Sequence, residues 1–281
     1  MAKILYVENG QANDQAARLL GPHISTCCVS ALRSRNLMMY DVLLIPSYSN
    51  EDLLLINWPR IERFLKYGGW VVALCGVQGK SKWLPFCKPH PNFAKRVGFK
   101  NATTPEGRAI FDGLALDGSS VTYHQGFVSH GGFRSDPDRS LPLLIDSDTG
   151  EWVLAVLSPA GLAGRLLVTT LDPDYHAVVG RTLEQVDWNP NAQKLFHNLI
   201  SWAENGSDTC GRPAKLVRRL MGISSVLMSY SALLVASGVT LLSVVGLATG
   251  ILGVSTVSVV GSIASLVSLS ITLHLLLAER R

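Results

Sequence analysis

The sequence predicts an α/β domain with a mainly parallel sheet, followed by a membrane-spanning C-terminal hairpin. Three observations predict it. Short Val, Leu and Ile runs recur between helix-like segments, the pattern of strands buried on both faces. Gly, Pro and Asn punctuate the ends of those runs. From Met221 to Ala278 the chain holds no Asp, Glu, Lys or Arg, which no soluble helix tolerates.

In chain order, strands are expected at Lys3–Val7, Ile24–Val29, Asp41–Pro46, Trp70–Cys75, Leu141–Ile145, Trp152–Leu157 and Arg165–Leu171. The last three lie too close together for helical crossovers and read as a mixed or antiparallel extension. Helices are expected at Gln11–Leu20, Glu51–Tyr67 and Asn191–Ala203, with Pro59 splitting the second and Gly68-Gly69 ending it. The stretch from Lys80 to Gly132 has turn residues and little periodicity, so it reads as an insertion over one edge of the sheet.

The charge-free C-terminal run would extend about 87 Å as one helix, far beyond a bilayer core of about 30 Å. Two spans fit, near Ile223–Val245 and Ser255–Leu277, with the turn among Gly246, Gly250 and Gly253. Arg212, Lys215, Arg218 and Arg219 precede the first span and Arg280 and Arg281 follow the second, which puts both flanks in the cytoplasm at the inner membrane. The expected organisation is therefore a domain over 1–204, a basic linker over 205–220 and a hairpin over 221–281. Gly246, Gly250 and the serines of the second span offer small surfaces for helix contact, within one hairpin or between copies.

The net charge of +4 is concentrated beside the hairpin, and the rest of the chain is nearly neutral. This points to a lipid bilayer as partner and away from direct nucleic-acid binding. Lys3 to Glu8 reads as a buried strand and not as a leader, so targeting is expected from the hairpin. The five cysteines have no framework spacing and are expected to be reduced.

Three segments carry a resemblance. They are Tyr40-Asp-Val-Leu-Leu-Ile-Pro46 with Phe64-Leu-Lys-Tyr-Gly-Gly69 and Trp70-Val-Val-Ala-Leu-Cys75-Gly76; Phe127-Val-Ser-His-Gly-Gly-Phe133; and Gly164 to His176 with Lys194 to Trp202. Together they resemble the class I glutamine amidotransferase-like superfamily, in particular its ThuA-like branch. The resemblance implies a flavodoxin-like, amidotransferase-like sandwich with Cys75 near the nucleophile elbow. It also implies that the family's base His and orienting Glu correspond to Asp172 and Asp174, and a carboxylate does not replace imidazole as a thiol's base.

The catalytic candidates are thus Cys75, His176 and Asp174, and the ligand-binding candidates are Cys75, Gly76, His130, Asp172, Asp174 and His176. The simpler reading of Cys75 is a small buried residue at a strand end, and it is preferred. His124, His130 and His176 with Asp172 and Asp174 match no metal signature, so neither metal nor cofactor is expected. Gly76-Val-Gln-Gly79-Lys80-Ser81 lacks phosphate-loop spacing.

The leading expectation is a membrane-anchored, non-catalytic binding, sensor or scaffold protein with a small-molecule ligand, a protein partner or a second copy. One alternative is a membrane effector of bacterial defence type, whose domain senses a signal and whose hairpin oligomerises. The other is a Cys-dependent hydrolase or amidotransferase using Cys75 and His176.

Overall fold

A computed structural model describes residues 2–21, 24–74, 83–90, 97–114, 120–121, 129–135, 140–178 and 190–209. The chain divides into two compact units, Met1–Arg218 and Arg219–Arg281. Both expected spans fall in the second unit and lie outside the described residues. Among the described residues no helix is long and apolar enough to cross a membrane.

The first unit is a mixed α/β fold around one sheet. Strands β1 (Ile4–Glu8), β2 (Ile24–Cys28), β3 (Val42–Ile45) and β4 (Trp70–Ala73) come first. The short β5 (Lys88–His90), β6 (Val97–Phe99), β7 (Ser120–Val121) and β8 (Gly132–Arg134) follow. They precede β9 (Ser140–Asp146), β10 (Trp152–Leu157) and β11 (Leu166–Thr169). The order across the sheet is β2-β1-β3-β4-β11-β10-β9-β6-β7, with β8 beside β10 and β5 beside β8.

Pairing is parallel from β2 through β11 and antiparallel beyond. The sequence placed β11 with β9 and β10 in an extension. It pairs antiparallel with β10 but also parallel with β4, because parallel neighbours need not be consecutive and everything from β5 to β10 lies in the crossover between them.

The alternation of side chains explains why these strands read as unbroken apolar runs. Ile4, Tyr6, Val42, Leu44, Val72 and Leu167 face one side, and Leu5, Val7, Leu43, Ile45, Val71 and Val168 the other, all buried. A 3-10 turn (Ala12–Gln15) leads into α1 (Ala16–Leu19). The second side is covered by α2 (Glu51–Lys66), and the first by α1, α3 (Pro105–Phe111) and the helix over Pro190–Thr209.

Asn50 caps α2 by accepting from the Leu53 amide, and Gly68 closes it in the left-handed conformation (φ 79°). Pro59 does not split this helix. It sits on the exposed side, and burial of Leu54, Ile61, Phe64 and Leu65 outweighs a proline cost of roughly 3 kcal/mol. The expected insertion is more ordered than its sequence implies: β6 and β7 extend the far edge, and Thr104 caps α3 through the Gly107 amide. Strands of two or three residues are too short to show a period.

After α4 (Pro173–Val178), α5 spans Pro190–Thr209, so the chain stays helical past Asn205, where the linker was expected to begin. The extra turn is packed. Gly206 lies so close to the Trp70 ring that a Cβ would run into it, and Trp70 in turn meets Trp202 at 4.7 Å between centroids. Gly206→Ala is therefore expected to lower unfolding free energy by about 1–3 kcal/mol in urea titrations followed by tryptophan fluorescence. Unchanged stability would contradict the close approach.

Candidate functional site at the strand ends

The strand order reverses between β1 and β3, and three chain segments meet at the carboxyl ends beside that reversal: the loop after β1, the loop after β3 and the segment after β11. Asp174 ties them together. It is fully buried and accepts from the Ser47 amide (2.9 Å), from the Ser47 hydroxyl and from Asn13 Nδ2 (2.7 Å). Asn13 Nδ2 and Asn9 Nδ2 also donate to the Ser47 carbonyl, and Asp14 accepts from the amides of Asn9 and Gly10. The Tyr6 hydroxyl donates to the Asn13 carbonyl at 3.1 Å, and burial pushes this phenol far above its ordinary value.

With Ser47 fixed, the next residue turns sharply. Tyr48 has φ 62°, uncommon for a residue with a Cβ, and the residue is 39% exposed. Its hydroxyl returns to donate to Asp172 Oδ2 at 2.6 Å, which offsets the cost of that backbone. His130 reaches the same oxygen. The bridge between Ser129 and Leu171, with the His130 amide donating to the Thr170 carbonyl, brings Nε2 within 3.0 Å of Asp172 Oδ2 and 3.1 Å of the Tyr48 oxygen. His176, one helical turn after Asp172, places Nε2 3.4 Å from Oδ1. Asp172 is itself 1% exposed.

The rings around this carboxylate form a chain. His130 and Tyr48 meet edge to face at 5.5 Å between centroids, Tyr48 and Tyr175 at 5.7 Å, and Tyr175 and His176 at 5.4 Å. Chemically the arrangement is a buried carboxylate that orients one phenol and two imidazoles and presents their rings at the surface.

Of the sequence candidates, the structure brings His130, Asp172 and His176 together. Asp174 lies beside them but is bound to Ser47 and Asn13. Cys75, Gly76 and His124 lie outside the described residues. Among the described residues no group of three or more His, Cys, Asp or Glu is disposed to hold a metal. Cys27, Cys28 and Cys87 are free; burial pushes Cys27 up to about 11 and Cys87 up to about 12, which leaves both poor nucleophiles. Sequence reasoning missed Tyr48 and Tyr175. The available signal was Pro46-Ser-Tyr-Ser-Asn50, an aromatic in a tight turn between a central strand and a capped helix.

No family model matches the chain, and no curated protein matches it. Among solved structures it is similar to Agd3, described as a novel carbohydrate deacetylase, with a TM-score of 0.47 and 14% identity over 73% of this chain and 32% of that one. It is also similar to the exo-beta-1,4-mannosidase Op5Man5 from Opitutaceae bacterium strain TAV5, with a TM-score of 0.36 and 10% identity over 71% of this chain and 34% of that one. The chain spans about a third of the length of either protein. At these values neither likeness bears on what the site does.

Burial pushes the Asp174 carboxyl up, against the three donors that pull it down. The folded chain then holds that proton more tightly than the unfolded chain, whose carboxyl titrates near about 4. Stability is expected to fall as pH rises from that value through the raised one. Asp174→Asn should flatten this part of the stability profile in urea titrations run at stepped pH, whereas an unchanged slope would assign it to another group.

Proposed function

We propose that the chain is a membrane-tethered recognition module: an amidotransferase-like sandwich with flavodoxin-like strand order, carried on a two-helix hairpin over 221–281, that binds a small ligand or partner group at its strand ends without thiol catalysis. The observation that carries this reading is the engagement of the residues a thiol enzyme would need. Asp172, which the resemblance aligns with the base, is a buried carboxylate bonded to Tyr48 and His130. Asp174, aligned with the carboxylate that orients the base, is bound to Ser47 and Asn13. His176 lies against Asp172.

The order β2-β1-β3-β4-β11 supports the fold assignment, since ligands of open α/β sheets bind beside a reversal of this kind. The charge-free run and its basic flanks support the tether. The domain then faces the cytoplasm, with its site on a rigid sheet and its anchor separate in sequence.

The reading is tested on the full-length chain expressed in bacteria. It should remain in membranes after an alkaline carbonate wash and leave them when 221–281 is deleted. An electrophilic glutamine analogue should not label Cys75. Stoichiometric labelling at Cys75 that disappears in His176→Ala would replace the recognition reading with that of a thiol enzyme.

A further inference from the structure

Strand ends of α/β sheets usually favour anions, because the helices that follow present their N-termini there. Here those termini carry carboxylates of their own. Asn50 caps α2, with Glu51 and Asp52 in its first turn, and α4 begins from Asp172 with Asp174 in its first turn. Among the described residues neither Asp172 nor Asp174 has a Lys or Arg partner; Asp172 meets only phenol and imidazole groups.

Above this buried negative charge the rings of His130, Tyr48, Tyr175 and His176 are partly exposed and meet edge to face. Tyr48 is the most exposed of the four, at 39%, and Tyr175 is half-buried; the π face of a phenol ring carries negative potential. A carboxylate shielded from water beneath such faces adds attraction of the same sign, strengthened by low local dielectric. The combination suits a weakly hydrated cation that needs no hydrogen bond from Asp172, whose Oδ2 is already bonded and whose Oδ1 is buried.

We propose that this aromatic cluster is a binding site for an alkylated ammonium group, with Tyr48 and Tyr175 supplying the ring faces and Asp172 the counter-charge. The inference rests on the strand-end site proposed above and names the chemical class it takes. Tyr48 contributes twice: its backbone conformation lifts the ring to the surface, and its hydroxyl bond to Asp172 fixes the ring's orientation.

The test is titration calorimetry on the full-length chain in a neutral detergent, with choline and tetramethylammonium as cationic probes and inorganic phosphate and glucose as comparators. Both cations should bind, and phosphate and glucose should not. Tyr48→Ala and Asp172→Asn should each weaken choline binding by about tenfold or more, while Tyr48→Phe, which keeps the ring but loses the bond that orients it, should weaken it less than Tyr48→Ala does. Should Asp172→Asn fail to fold, Tyr175→Ala, which trims a partly exposed ring, carries the same expectation. The inference is overturned if choline does not bind, if phosphate or glucose binds in its place, or if choline binding survives both Tyr48→Ala and Tyr175→Ala. Cys75 labelling is measured separately, so failure of the cation probe with Cys75 unlabelled removes the ligand class and leaves the recognition reading standing.

Discussion

The strand-end region depends on one buried carboxylate. Asp174 accepts from the backbone and side chain of Ser47 and from Asn13, and so fastens the loops after β1 and β3 to the segment after β11. A carboxylate with no exposure costs several kcal/mol in lost hydration, and only well-aligned donors offset that. The chain supplies them from positions more than a hundred residues apart in sequence, so the network exists only once the parallel sheet has formed. Removing the carboxylate leaves the Ser47 amide and hydroxyl without their acceptor and the Asn13 side chain with the Ser47 carbonyl alone, which makes this a point where fold and site fail together.

The strained turn at Tyr48 follows from the same constraint. Ser47 is held from both its amide and its hydroxyl, its carbonyl accepts from Asn9 and Asn13, and α2 must begin at Asn50. Little chain remains in which to reverse direction, and the left-handed conformation of Tyr48 accomplishes it. Where glycine would adopt that geometry freely, a tyrosine is held in it by its bond to Asp172. The result is a costly backbone at the mouth of a sheet, maintained by a buried acid.

Much of the fold was legible in the sequence. Strand runs such as Val42–Ile45 and Trp152–Leu157 announced themselves because burial on both faces, or at a sheet centre, demands continuous apolar residues. The path of β11 was not legible, since pairing partners depend on the whole topology and not on the strand's own residues. Pro59 misled because local propensity was outweighed by the buried face of α2. At the site, His130, Asp172 and His176 were found through the resemblance. Tyr48, Asn13 and Ser47 were not, because their roles come from contacts across long sequence separations and a left-handed turn that no short motif encodes.

The central claim is that the Asp174 network holds the Tyr48 turn, and with it the ring cluster, in place. A double-mutant cycle tests this directly: unfolding free energies of the native chain, Asp174→Asn, Tyr48→Phe and the double variant. The two side chains share no bond, so coupling of about 0.5 kcal/mol or more is expected if the network joins them, through Ser47 or through Asp172, which acts on Asp174 and accepts from Tyr48. Costs that add to within about 0.3 kcal/mol would mean that the two features are independent and would contradict the account.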